Sequence, residues 1–99
     1  MNIFVDIDET ICDYEIGQER DYTFARPIEI NIEKINKLYN EGNKITYWTA
    51  RGSGTGIDWS EITRDQLDKW GCKYHYLSVG EKPVYDLLIC DKTKRIEEI

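Results

Sequence analysis

The apolar residues of this chain fall into short runs, and the runs alternate between two spacings. Residues 3–7, IFVDI, are branched and aromatic over a strand's length, the pattern of a strand buried on both faces. Residues 13–26, DYEIGQERDYTFAR, are polar with interspersed aromatics and show no helical stripe, which predicts a loop or small hairpin. Pro27 suits the first turn of a helix. Ile28, Ile32, Ile35, Leu38 and Tyr39 then share one face, and Gly42 stands where a left-handed residue closes a helix. Residues 44–49, KITYWT, predict a second strand, followed by a glycine-rich loop at 50–57. Asp58 with Glu61 three residues on resembles a capping box with Asp as its first member. Trp59, Ile62, Leu67 and Trp70 give the next helix a buried side, ended by Gly71. A third strand is expected over 73–77, a turn over 78–83, a fourth strand over 86–90 and a short terminal helix over 92–99.

The order β, loop, α, β, α, β, β, α predicts one α/β domain over residues 1–99. Alternating strands and helices imply a mostly parallel sheet of about four strands with right-handed crossovers, a minimal Rossmann-like three-layer fold. Residues 13–26 are expected to form a loop or flap between the first strand and the first helix. In such sheets ligands bind beyond the carboxyl ends of the strands. The polar residues at those ends are Asp6 and Asp8, then Thr49 and Arg51, then Asp91, with Lys82 in the turn after the third strand.

Composition narrows the function classes. With 40% hydrophobic and 32% charged residues the chain is globular in type. A net charge of −6 offers no global attraction for nucleic acid or anionic lipid. No apolar stretch nears the ~20 residues that span a bilayer. Cys12, Cys72 and Cys90 lack C-x-x-C spacing and sit among apolar or aromatic residues, which predicts free thiols in a reducing compartment. The first residues lack a basic n-region, and the expected compartment is the cytoplasm.

Asp6, Asp8 and Glu9 at the end of an apolar strand demand an explanation. Two unit charges about 5 Å apart repel by roughly 3 kcal/mol at an effective dielectric near 20. A cation or a chemical role would offset that cost. Asp, Asp, Thr, Lys and Asp in chain order are the types that phosphoryl transfer uses. Asp6 could attack phosphorus, and Asp8 could protonate the leaving oxygen and then activate water. Asp6 and Asp91 could hold Mg²⁺, which prefers oxygen ligands. Thr49 and Lys82 could bind phosphoryl oxygens, with Thr10 and Arg51 as further phosphate-binding candidates.

These residues carry a resemblance. D-I-D-E-T at 6–10, T-A-R-G at 49–52, K-P at 82–83 and L-L-I-C-D at 87–91 are similar to the four motifs of the haloacid dehalogenase-like superfamily. The residues from Thr49 onward resemble its small capless phosphatases associated with capsular polysaccharide biosynthesis. The resemblance implies a nucleophile at Asp6, an acid/base at Asp8 and phosphate binding by Thr49 and Lys82. It also implies Mg²⁺ on the Asp6 side chain, the Asp8 backbone carbonyl and the Asp91 side chain. The last motif usually ends in two acidic residues, and here the first is Cys90. If Asp91 is the direct ligand, only outer support is lost; if Cys90 takes that place, a thiol is a poor ligand for a hard ion.

Arg51 reads equally as a phosphate contact or a structural ion pair, and His75 as a packing residue. Tyr14, Arg20, Tyr22 and Arg26 are candidates for touching substrate. An EF-hand over Asp6 fails, because Ile11 and Gly17 stand where glycine and glutamate belong. A phospho-accepting receiver domain needs an acidic residue at the end of a middle strand, where this chain has Thr49. The expected substrate is a small phosphomonoester, with a catalytically weak metal- or partner-binding relative as the alternative; a homo-oligomer could cover the open site.

Overall fold

The computed structural model describes residues 1–15, 21–51, 56–80 and 87–89. Strands β1 (Asn2–Asp6), β4 (Lys44–Thr49), β5 (Tyr76–Val79) and β6 (Leu87–Ile89) form one sheet in the order β5-β4-β1-β6, with every pairing parallel. Strands β2 (Cys12–Asp13) and β3 (Arg26–Pro27) form a small antiparallel pair. Helices α1 (Glu29–Asn40) and α2 (Ser60–Lys69) make the crossovers from β1 to β4 and from β4 to β5.

Both crossovers step the chain in the same direction across the sheet. Right-handed connections therefore put α1 and α2 on one face. Asn36 of α1 joins them: its amide donates to Gly71 O at 3.0 Å and its carbonyl accepts from Lys73 N at 2.8 Å. Register sets the core beneath. Ile3 lies beside Ile45 and Val5 beside Tyr47, and all four are buried together with Ile32, Ile35 and Leu67 of the helices. Each fully buried aliphatic side chain contributes roughly 1.5–3 kcal/mol. On the opposite face Phe4 and Trp48 are only half-buried and Tyr76 is exposed. The expected terminal helix that would make a third layer, at 92–99, lies outside the described residues.

Several expected boundaries shift, each for a local reason. Pro27 belongs to β3 rather than to a helix: it pairs with Cys12, and Ile28 N donates to Ile11 O at 2.8 Å, keeping the chain extended until α1 begins at Glu29. Asp13 and Arg26, at the two ends of the expected loop or hairpin, pair antiparallel, and a 3₁₀ turn at Tyr22–Phe24 is capped by the Asp21 carboxylate. The capping box does not form. Asp58 accepts instead from Ser60 N, two residues on, at 2.9 Å. In α2 the buried pair is Thr63 and Leu67, and Ile62 is exposed. Thr63 turns inward because its hydroxyl receives a hydrogen bond from Arg51. The third strand runs three residues late. His75 precedes it, with its N–H on Ile45 O, its Nδ1 accepting from Ile45 N and its ring stacked on Tyr39. Gly42, with φ of 96°, does close α1. No helix among the described residues is long and apolar enough to cross a membrane.

Candidate active site

β1 and β4 are neighbours in the middle of the sheet, so the residues following their carboxyl ends meet although far apart in sequence. Asp6 ends β1, half-buried beside Trp48 of β4. Ile7 N still bonds Trp48 O at 3.0 Å, and the chain then turns sharply. Thr10 N and Ile11 N both donate back to Ile7 O, and Glu9 sits at φ of 65°, a left-handed conformation that non-glycine residues seldom adopt. This turn aims the Asp8 side chain toward the end of β4.

There Asp8 meets a buried arginine. Arg51 has a side-chain exposure of 0% and Asp8 of 16%, and they bond side-on: Nη2 to Oδ1 at 2.8 Å and Nε to Oδ2 at 3.1 Å. Thr49 Oγ1 donates to Oδ2 at 3.2 Å, and the Tyr14 hydroxyl donates to Oδ1 at 2.5 Å. The remaining Arg51 donor, Nη1, reaches Thr63 Oγ1 at 3.1 Å and Gln66 Oε1 at 2.7 Å on α2. The Tyr22 ring covers the guanidinium at 4.7 Å and packs edge-on against Trp59 at 5.0 Å. Gln66 Nε2 in turn donates to Tyr22 O. The hairpin, α2 and both strand ends are thereby joined through one ion pair.

The electrostatics follow from this packing. Burial works to raise the Asp8 pKa, but hydrogen bonds from Arg51 and Tyr14, the Arg51 charge and the Thr49 hydroxyl outweigh it, and the net shift is below the usual carboxylate value. Burial likewise opposes the Arg51 charge, and Asp8 reverses that. Burial first, and then donation to Asp8, pushes the Tyr14 hydroxyl well above the ordinary phenol range. The Cys12 thiol, 3.6 Å from Asp8 Oδ1, is pushed up to about 12 by burial and by the carboxylate charge.

Of the expected site residues, Asp8, Thr49 and Arg51 come together. Arg51 is found as the ion pair of its two readings; its donors are turned onto Asp8, Thr63 and Gln66 inside the protein, which leaves it no exposed face for phosphate. Thr10 is 1% exposed and its hydroxyl is sealed from solvent, with no hydrogen-bond partner among the described residues, so it does not face a ligand in this arrangement. Lys82 and Asp91 lie outside the described residues, as do Cys90, Arg20 and the glycines at 52 and 54. Tyr14 and Tyr22 do line the site, whereas Arg26 pairs with Asp13 at an exposed position. Thr63 and Gln66 were not expected. Their signal was a pair of hydrogen-bonding side chains three residues apart on one helix, easily read as surface.

Among the described residues no three His, Cys, Asp or Glu side chains gather to hold a metal. The donors present nevertheless suit Mg²⁺. The Asp6 carboxylate and the Asp8 carbonyl are hard oxygens two residues apart. The Asp8 carboxylate is already taken by Arg51, which leaves the backbone oxygen as the ligand that Asp8 can offer.

No family model matches the chain, and no curated protein matches it. Among solved structures, a crystal structure of a protein target from Vibrio cholerae, whose name states no activity, is 26% identical. It superposes with a TM-score of 0.68 over 84% of this chain and 72% of that one. At that similarity the chain shares with it a small, mostly parallel α/β fold.

Proposed function

We propose that the protein is a capless, Mg²⁺-dependent phosphatase of the haloacid dehalogenase-like type, with a three-layer Rossmann-like fold, acting on a small phosphomonoester through an aspartyl-phosphate. The observation that carries this reading is the hydrogen bond between Thr49 and Asp8, 41 residues apart, at the carboxyl ends of two adjacent parallel strands. A sheet edge is where such folds bind ligands, and these two residues belong to two of the four motifs.

In the proposed reaction an Asp6 oxygen bonds to phosphorus as the bond from phosphorus to the leaving oxygen breaks. Asp8 gives its proton to that oxygen, releasing an alcohol. Asp8 then takes a proton from water, whose oxygen bonds to phosphorus as Asp6 is released with orthophosphate. Lys82 would hold the non-bridging oxygens together with Thr49, whose hydroxyl turns from Asp8 Oδ2 to reach them. Mg²⁺ held by Asp6, the Asp8 carbonyl and Asp91 would neutralise charge on the phosphoryl group. The acidic composition and the resemblance favour a small substrate, such as a sugar phosphate.

The test is release of p-nitrophenol from p-nitrophenyl phosphate, with Mg²⁺ and with EDTA, by the wild type and by Asp6→Asn. Metal-dependent release that vanishes in the variant, whose fold and phosphate binding persist, is the expected result. Wild-type turnover by Asp6→Asn would end the covalent mechanism. The buried Arg51–Asp8 pair gives one specific reason to keep a second reading, a catalytically weak relative that binds metal or a partner. That reading expects Mg²⁺ binding without hydrolysis.

A further inference from the structure

The Asp8 carboxylate has about four acceptor sites, and the structure fills them. Arg51 Nη2 and Tyr14 take Oδ1, and Arg51 Nε and Thr49 take Oδ2. A carboxyl group that hands a proton to a leaving oxygen needs one of its own oxygens turned toward that oxygen. The Thr49 hydroxyl, in turning to the phosphoryl group, clears only Oδ2; Oδ1 is cleared for a leaving oxygen when one of its own donors withdraws.

The Cys12 thiol, a weak donor, also reaches Oδ1 at 3.6 Å from beneath, and the donors are not held alike. Arg51 is buried and also tied to Thr63 and Gln66 on α2. Thr49 is 1% exposed and ends a strand in the middle of the sheet. Tyr14 is half-buried, follows the two-residue strand β2, and its hydroxyl has a long second contact, accepting from Arg51 Nη2 at 3.4 Å. Its hydroxyl oxygen also has the right chemistry: it lies at hydrogen-bond distance from Oδ1, where the oxygen of an alcohol leaving group would have to lie to receive the Asp8 proton.

We infer that the Tyr14 hydroxyl occupies the seat of the leaving-group oxygen on Asp8, and that a phosphomonoester binds productively by displacing it. Tyr14 is thus a specificity-determining gate at the leaving-group side of the site. The inference rests on the phosphatase reading for the roles of Asp6 and Asp8. Displacement breaks a charge-assisted hydrogen bond without adding any contact to the substrate, so it weakens apparent substrate affinity. The neighbouring ring of Tyr22, 6.5 Å away and edge-on, and Trp59 beyond it give the displaced phenol an aromatic wall to move along.

Two measurements test this. First, steady-state kinetics on p-nitrophenyl phosphate and on an alkyl phosphomonoester, glycerol 2-phosphate, are compared for the wild type and Tyr14→Phe. The ring stays and the competing hydroxyl goes, so KM should fall about tenfold, the equivalent of one such bond. Second, the near-ultraviolet difference spectrum is recorded as glycerol 2-phosphate is added to Asp6→Asn, which cannot turn it over. A tyrosine leaving a carboxylate acceptor shifts its absorption to shorter wavelength, and that signal should vanish in Asp6→Asn/Tyr14→Phe. Hydrolysis with an unchanged or raised KM in Tyr14→Phe, or a tyrosine signal that survives in the double variant, overturns the gate and leaves the phosphatase standing. No hydrolysis by the wild type and no spectral change in any variant overturns both.

Discussion

Replacing Arg51 by alanine should come close to unfolding the protein. The substitution deletes a fully buried cation that makes two bonds to Asp8 and two to α2. It leaves the Asp8 carboxylate, 16% exposed, with the Thr49 and Tyr14 hydroxyls and the weak Cys12 thiol as its hydrogen-bond donors among the described residues. Removing one member of a buried ion pair costs about 3–5 kcal/mol. A 99-residue domain has roughly 5–15 kcal/mol in total, so the loss is a large part of the whole. At about 4–8 °C per kcal/mol for a domain of this size, Tm should drop by no less than roughly 12 °C. Arg51→Lys keeps the charge but not the side-on fork, and should recover only part of the loss.

Urea unfolding at pH 7, with a double-mutant cycle, makes this measurable. Asp8→Asn removes the opposite charge while keeping an acceptor of similar shape, and should cost less than Arg51→Ala. Arg51→Ala with Asp8→Asn should cost less than the sum of the two single changes, because no buried charge is then left without its partner. The pH dependence gives an independent sign. The Asp8 pKa is lower folded than the usual 3.8, so the stability it contributes is fully present above that value and is lost as pH falls through the lowered one. Asp8→Asn should therefore lose less stability than the wild type on acidification. An Arg51→Ala cost below about 1 kcal/mol, the range of an exposed pair, or additivity in the cycle, would refute the buried-pair argument.

Two smaller changes probe the core. The buried Tyr47 hydroxyl finds no hydrogen-bond partner among the described residues; Tyr47→Phe should leave stability unchanged or raise it by up to about 1 kcal/mol, and a fall would mean the hydroxyl has a partner. Burial pushes the Cys12 thiol up to about 12 and the Cys72 thiol up to about 11, so both should resist iodoacetamide at pH 8 until urea is added. Mass-mapped labelling reads each site separately, and prompt reaction of native Cys12 would contradict its place beneath Asp8.

What the sequence made legible was whatever a period or a short motif encodes. The β4 strand was readable to the residue, because six consecutive strand-forming positions end at a glycine-rich loop. The apolar face of α1 was readable from its spacing, and the closing Gly42 from its need for a left-handed backbone. The failures have one cause in common: a partner from elsewhere in the chain overrode a local rule. Thr63 turned inward ahead of Ile62 because Arg51 needed an acceptor. Pro27 stayed extended because Cys12 offered it an edge to pair with, and β5 began late because His75 was bonded to Ile45. Arg51 itself could be read two ways because nothing in the spacing says which of its donors find acceptors 12, 15 and 43 residues away.

The same carboxylate is also asked to do two opposed things. The resting fold uses Asp8 ionised, as the counter-charge of a buried arginine, and its depressed pKa measures that commitment. In the proposed reaction Asp8 must hold a proton at the leaving oxygen. A phosphate dianion resolves the conflict, because a second negative charge a few ångströms away raises the proton affinity of a carboxylate. In the proposed reaction a substrate that displaces Tyr14 would also supply the charge that favours protonation of Asp8. An acid that is ionised when the site is empty and protonated when it is loaded is thereby confined to the complex in which its proton has somewhere to go. Arg51 is the element that stays constant through this change. In the proposed reaction its Nε would remain on Oδ2 while Oδ1 exchanges partners, so its loss should damage the fold and the chemistry together.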